Sequence, residues 1–142
     1  MNTSQLSERQ RERIQTAVRN VPFGDLVGMK LESVGPGVAS MSLTVRNELL
    51  QNNGVVHGGA LATLIDSAAA FAVIPLLQDD ETATTVDLTI NYLRPLKNGA
   101  AQVSARVLRE GSRLIVLSAE VSDEIGNLVA TGLTTYIRLA KR

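Results

Sequence analysis

The segment QNNGVVHGGALATLIDSAAAFAVIPLL, residues 51–77, contains the longest apolar stretch of the chain, its single histidine, His57, and a lone carboxylate, Asp66. Over residues 57–74, the apolar positions Ala60, Leu61, Leu64, Ile65, Ala68, Ala69, Phe71, Ala72 and Val73 cover nearly the whole circumference of a helix. A helix apolar all round is a buried helix. Pro75 stops or kinks it. A membrane span needs about 20 predominantly apolar residues. Here Asp66, two Ser/Thr positions and Pro75 interrupt the run, which argues against a transmembrane helix.

Downstream the apolar period changes to two. TTVDLTINYLRP alternates Val86, Leu88, Ile90 and Tyr92 against Thr85, Asp87, Thr89 and Asn91. AQVSARVL alternates Val103, Ala105 and Val107 against Gln102, Ser104 and Arg106. RLIVLSAEVS and LVATGLTTYIRL follow, divided by the turn-like DEIGN. Upstream, MKLESV and VASMSLTV flank GPG as a hairpin, and residues 46–56 form a polar loop. Residues 4–20 are rich in helix formers, with Ser4 or Ser7 as N-cap and Leu6, Ile14 and Val18 on the seated side. VPFGDLVG punctuates the end of that helix. The order helix, two strands, buried helix, four strands predicts an α+β chain, one antiparallel sheet wrapped around a long central helix, with an N-terminal helix. A second subunit would finish burying the open face of the central helix.

The composition narrows the function. A chain of 142 residues fits one domain with a proper core. Basic and acidic residues balance at 14 each, so no net field draws nucleic acid or an acidic membrane surface. Two Phe, two Tyr and no Trp leave few platforms for stacking bases. The absence of cysteine removes disulfides, thiolate metal sites and a Cys nucleophile, and is compatible with a cytoplasmic location. The polar start MNTSQLSERQRERIQ does not read as a signal peptide. A lone histidine without cysteine argues against zinc, and no metal is expected. There is no G-x-S-x-G elbow, P-loop or strand-following G-x-G-x-x-G, and no serine stands out for a triad.

An ionised carboxylate in an apolar setting is costly unless paired, and burial is one way enzymes poise a carboxylate as a base. The alternative is that Asp66 reaches solvent through a gap or bonds to backbone. The glycines after His57 open the helix where backbone N–H groups are free. Gly58 lets a ligand approach them closely, which suits polarisation of a carbonyl. Tight helix–strand packing, with His57 as a cap or core histidine, explains the glycines equally well. Gly58 and Asp66 are eight residues apart. On a helix that is about 12 Å along the axis and about 80° around it. One helix cannot bring both to one reacting atom, whereas two antiparallel copies can. If both act, the spacing predicts a dimer with shared sites.

These residues resemble the hotdog-fold acyl-CoA thioesterases, most closely the group related to the phenylacetic-acid-degradation thioesterase. The features that carry the resemblance are Gln51 six residues before HGG, Asp66 nine after His57, the strand TTVDLTINYLRPLKNG and the pair VLREGSRLIVLSAEV. The likeness covers about residues 22–139 and implies a hotdog domain over 22–142, with residues 1–21 as a helical extension. It implies hydrolysis of a medium-chain or aromatic acyl-CoA, with CoA part of the substrate and no separate cofactor. By resemblance, Asp66 is nucleophile or general base, the Gly58 N–H polarises the thioester carbonyl, and Gln51 is the amide near the nucleophile or its water. Thr85 positions water or the carboxylate, and His57 orients the helix start. Gln51 and Gly58 come from one subunit, Asp66 and Thr85 from its partner, in a homodimer packed as a dimer of dimers. Tyr92, Arg94, Pro95 and Lys97, and Arg109, Gly111 and Arg113, match CoA-contacting segments; for each basic residue a solvated surface role is the competing reading. No nucleic-acid or membrane partner is implied. Gln51 departs from the Asn of the nearest group and is familiar from aryl-CoA and enterobactin-associated branches, which usually carry Glu rather than Asp at the acidic position.

Two other readings differ in class. A hotdog hydratase or dehydratase needs a histidine near an acid, but His57 lies about 180° around the helix from Asp66, and a His-x-x-x-x-Pro-Gly pattern is absent. A non-catalytic acyl-CoA-binding sensor would regulate through a DNA-binding domain, and residues 1–20 offer one helix that is not strongly basic.

Overall fold

A computed structural model describes residues 5–142. Helix α1, Glu8–Arg19, begins with a capping box. Ser7 Oγ accepts from the Gln10 N–H at 3.2 Å and the Gln10 side chain takes the Ser7 N–H at 2.8 Å. Ser7 is thus the cap; Ser4 lies outside the described residues. Leu6 and Ile14 are buried as expected, whereas Val18 is exposed. VPFGDLVG does more than end α1. Pro22 starts a second short helix, α2, Pro22–Val27, and Gly28, at φ 85, closes it in the left-handed conformation.

Strands β1, Met29–Gly35, and β2, Val38–Thr44, form the hairpin. After the loop, α3 spans Gly58–Val73, and Pro75 sits in a single 3-10 turn that ends it. Strands β3, Glu81–Tyr92; β4, Ala100–Glu110; β5, Leu114–Ser122; and β6, Leu128–Ala140, complete one sheet of order β1-β2-β4-β5-β6-β3. Every neighbouring pair is antiparallel. The helix carries the chain from β2 across the sheet to the far edge, where β3 lies. It packs against all six strands. By length and hydropathy, residues 58–76 would pass as a membrane span. Here they are the core helix of a sheet.

The sheet covers α3 unevenly. Leu64, Ile65, Ala68, Ala69 and Ala72 have no exposed surface. Thr63, Asp66, Ser67, Ala70 and Ile74, at helical spacing, are only partly buried. Asp66 therefore sits on the one stripe that the sheet leaves open. The strict alternation expected along β3 fails at Val86. A bulge between Thr85 and Asp87 leaves Val86 without a partner and exposed. Thr85 faces inward before the bulge, and Leu88 and Ile90 after it. A bulge re-aims side chains in this way.

On β6, Gly132 lies under the helix, and a Cβ there would fall 2.9 Å from Cγ2 of fully buried Ile65. Gly132→Ala should destabilise the protein by about 1–3 kcal/mol through overpacking. Gly24→Ala in α2 adds a Cβ with no neighbour nearer than 3.6 Å and should be neutral or stabilising by up to about 1 kcal/mol. Thermal unfolding checks this: Tm should fall in Gly132→Ala and stay level or rise in Gly24→Ala.

Candidate active site

Two groups of residues stand out, one at the start of α3 and one at its middle. The first is built by the loop before the helix. It contains a 3-10 turn, Asn47–Leu49, and a Leu50–Val56 bridge. Within it the Gln51 N–H bonds the Val55 carbonyl at 2.8 Å, and Gly54, at φ 73, returns its N–H to the Gln51 carbonyl. This tight turn holds Gln51 beside the helix. His57 is the N-cap: its Nδ1 accepts from the Gly59 N–H at 2.8 Å, so the proton of the neutral ring is on Nε2. The Ala60 N–H goes to the His57 carbonyl. Among the described residues, the Gly58 N–H has no acceptor.

Gly58 is also a close-packing glycine. The Tyr92 hydroxyl donates to its carbonyl at 2.9 Å, and a Cβ would lie 3.0 Å from the Tyr92 ring. Both readings of HGG thus hold: His57 caps, Gly58 packs on β3, and one N–H is left open. Gln51, Gly58, Tyr92, Arg94 and Pro95 line one groove of about 410 Å³.

The second group surrounds Asp66. Thr85 Oγ1 donates to Asp66 Oδ1 at 2.8 Å. The Tyr136 hydroxyl lies 2.9 Å from the same oxygen and 2.8 Å from the Asp66 carbonyl oxygen. Thr85 and Tyr136 are register partners on β3 and β6, so the pair forms one rigid platform beneath the helix. Oδ1 thus lies within reach of both hydroxyls, sharing the single Tyr136 proton with the Asp66 carbonyl, and among the described residues no donor reaches Oδ2. Tyr136 is only 4% exposed. Burial pushes its phenol well above the usual range, the Thr85 hydrogen bond opposes this, and the Asp66 charge adds to it. Tyr136 therefore remains a donor.

Tyr136 was not singled out in the sequence. It lies 70 residues from Asp66. The only available signal was the period-two register of β6, which turns Ala130, Gly132, Thr134 and Tyr136 inward.

The candidate CoA-contacting residues divide. Tyr92, Arg94 and Pro95 join the Gly58 groove, and Lys97 is exposed just beyond it. Arg109, Gly111 and Arg113 surround the β4–β5 turn. There the Gly111 N–H bonds the Leu114 carbonyl at 2.8 Å, and a Cβ on Gly111 would strike that oxygen at 2.7 Å. Arg138, its side chain only 9% exposed, anchors this turn. It gives its N–H to the Arg113 carbonyl and pairs with Glu110 and Glu81. Tyr92 is opposite Ala130 and Leu114 is opposite Ile137. Seven residues of β6 therefore separate the two segments, about 23 Å, and one chain does not bring them together. Among the described residues, no three of His, Cys, Asp and Glu gather as a metal site.

Residues 53–130 match the model of the Thioesterase superfamily. Human acyl-coenzyme A thioesterase 13 is 30% identical over 128 residues, 88% of this chain and 91% of that one. The medium/long-chain acyl-CoA thioesterase YigI of Escherichia coli K12 is 25% identical over 135 residues, covering 84% and 87% of the two chains. A mutant of the phenylacetic acid degradation protein PaaI of Thermus thermophilus superposes with a TM-score of 0.78 at 32% identity, over 84% of this chain and all of that one. The sheet wrapped on its helix, and the sequence that builds both, make this chain a member of the thioesterase superfamily, an acyl-CoA thioesterase of the hotdog fold.

Proposed function

We propose that the chain hydrolyses acyl-CoA at sites shared between two copies, each site combining Asp66 and Thr85 of one copy with Gln51 and Gly58 of the other. One observation carries the reading. Each half is prepared and incomplete: a carboxylate held by Oδ1 with Oδ2 free, and a helix start with one N–H unspent. Along one helix they are about 12 Å apart, too far for one reacting carbon. Antiparallel pairing of two α3 helices along the stretch of the open stripe from Gly58 to Asp66 brings each half to the other. The edge strand β3 lies beside that stripe.

In this site the thioester carbonyl oxygen meets the Gly58 N–H, which carries the charge that develops on it. Asp66 Oδ2 takes a proton from water as the water oxygen attacks the carbonyl carbon. The tetrahedral intermediate collapses, the C–S bond breaks, and the CoA thiolate recovers the proton from Asp66. Thr85 and Tyr136 hold Oδ1 throughout; Tyr136 touches no reacting atom and is a positioning residue. Gln51 orients the water. His57 holds the helix start, with Nδ1 committed to the Gly59 N–H. That commitment, on the far side of the helix from Asp66, disfavours a hydratase. Arg94 and Lys97 of one copy and Arg109 and Arg113 of others meet the CoA phosphates, with two dimers packed together.

Asp66→Asn should lower kcat by about 10²–10⁴-fold on every acyl-CoA hydrolysed, with the fold intact. Thiol release is the assay, and wild-type rates in this variant would sink the assignment. Sharing has its own test. Gly58→Pro deletes the N–H at a helix position that accepts proline, though it displaces Tyr92. Co-expressed with Asp66→Asn, two inactive chains should recover about a quarter of wild-type activity, since half the dimers are mixed and each has one intact site. Sites within single chains would recover none.

Tyr136→Phe should lower kcat about tenfold with KM nearly unchanged. It should also cost about 1–2 kcal/mol of stability at neutral pH. The folded chain keeps the phenol proton after the unfolded chain begins to lose it near pH 10. That contribution is complete below pH 10 and lost above it, so the Tm gap between wild type and variant should narrow as pH rises past 10.

A further inference from the structure

A groove of about 660 Å³ runs between α1 and the C-terminal half of α3, floored by β3 and β6. It begins where the second group of site residues ends. Ala70, one helical turn past Asp66, lines it, and so does Tyr136, whose hydroxyl touches Asp66. From there it follows Ile74 and Leu77 along the open stripe of α3, with Ala83 in its floor and Ala17 in its roof. Leu77 lies eleven positions past Asp66, about 16 Å along the helix direction.

Apart from Glu12, the charges around this groove are already engaged. Arg13 donates to the carbonyls of Leu77, Gln78 and Glu81. Arg9 pairs with Asp79, and Lys141 donates to the Asp79 carbonyl. Glu12 and Thr16 sit on the exposed rim. Asn20 and Thr82 add polar groups to the lining, and between the polar rim groups Ala17, Ala70, Val73, Ile74, Leu77 and Ala83 form a continuous apolar strip that suits a hydrocarbon. A second gap beneath α1, lined by Ser67 and Phe71, measures only about 60 Å³, room for about two waters.

We propose that this groove receives the acyl chain, that the N-terminal helix is its roof, and that the enzyme is thereby matched to linear chains of medium to long length. The proposal rests on Asp66 as the catalytic carboxylate, because the groove is defined as an acyl channel by its start beside that residue. It makes residues 8–21 part of the catalytic domain. Ala17, Ala70 and Ala83 set its bore.

The test is kcat/KM over a series of linear acyl-CoAs from butanoyl to hexadecanoyl, for wild type, Ala17→Trp and Ala83→Leu. These substitutions fill the channel from opposite walls, so one serves if the other fails to fold. In wild type, kcat/KM should climb by up to about fourfold per methylene until the groove is full. In either folded variant the hexadecanoyl-to-butanoyl ratio should fall at least about tenfold, the worth of two methylenes or more. A ratio within twofold of wild type in a variant with a normal Tm overturns the proposal. Asp66→Asn is run on the same series. If it is inactive while the ratios stay unchanged, the groove assignment alone fails. If it hydrolyses every chain at wild-type rates, the catalytic reading fails and the groove assignment with it.

Discussion

The central helix is apolar around nearly its whole circumference, and one sheet can bury only part of it. The rest of the architecture answers to that constraint. The sheet curls so that all six strands touch α3, and Gly132 gives up its side chain so that Ile65 can settle against β6. Even so, a stripe through Thr63, Asp66, Ala70 and Ile74 stays half open. The polar residues of the helix, Thr63, Asp66 and Ser67, fall on that stripe, so no charge is forced beneath the sheet.

The carboxylate is steadied there by neutral groups. Among the described residues, its donors are the hydroxyls of Thr85 and Tyr136, both on Oδ1. An arginine in their place would have tied down both oxygens in a fork and compensated the charge. Two hydroxyls on adjacent strands fix the orientation of the group and leave one oxygen unengaged. The bulge at Val86 shifts the phase of the edge strand so that Thr85 and Leu88 both face the helix, and a local irregularity thereby bears on the geometry of the acid.

Much of this was legible in the sequence because periodicity is a local property. The all-round apolar pattern of residues 57–74, the hairpin about GPG and the four alternating runs each report their element without outside help. Asp66 and Gly58 stand out by their own chemistry, a lone carboxylate on an apolar helix and a glycine at a helix start, whereas Thr85 comes only from the resemblance. Three features were not readable in the same way. The alternation through TTVDLTINY runs unbroken in the sequence, and whether it slips at Val86 depends on pairing with β6. Pro22 reads as a breaker until Gly28 is seen to close a separate helix. Tyr136 resembles any inward strand aromatic, and its link to Asp66 exists only once β6 is laid beside β3.

The N-terminal helix is seated by buried Leu6 and Ile14, and its polar fastening runs largely to backbone atoms of the body it rests on. Gln10 and Arg13 hold it there by donating to the carbonyl oxygens of Pro75, Leu77, Gln78 and Glu81. Every chain has those oxygens whatever its side chains. The segment from Pro75 to Glu81 can therefore drift in sequence during evolution, provided its path is kept, without releasing the helix that rests on it. At Leu77 the side chain lines the groove while the carbonyl holds Arg13, so the cavity can be reshaped there by substitution while the docking of the helix persists.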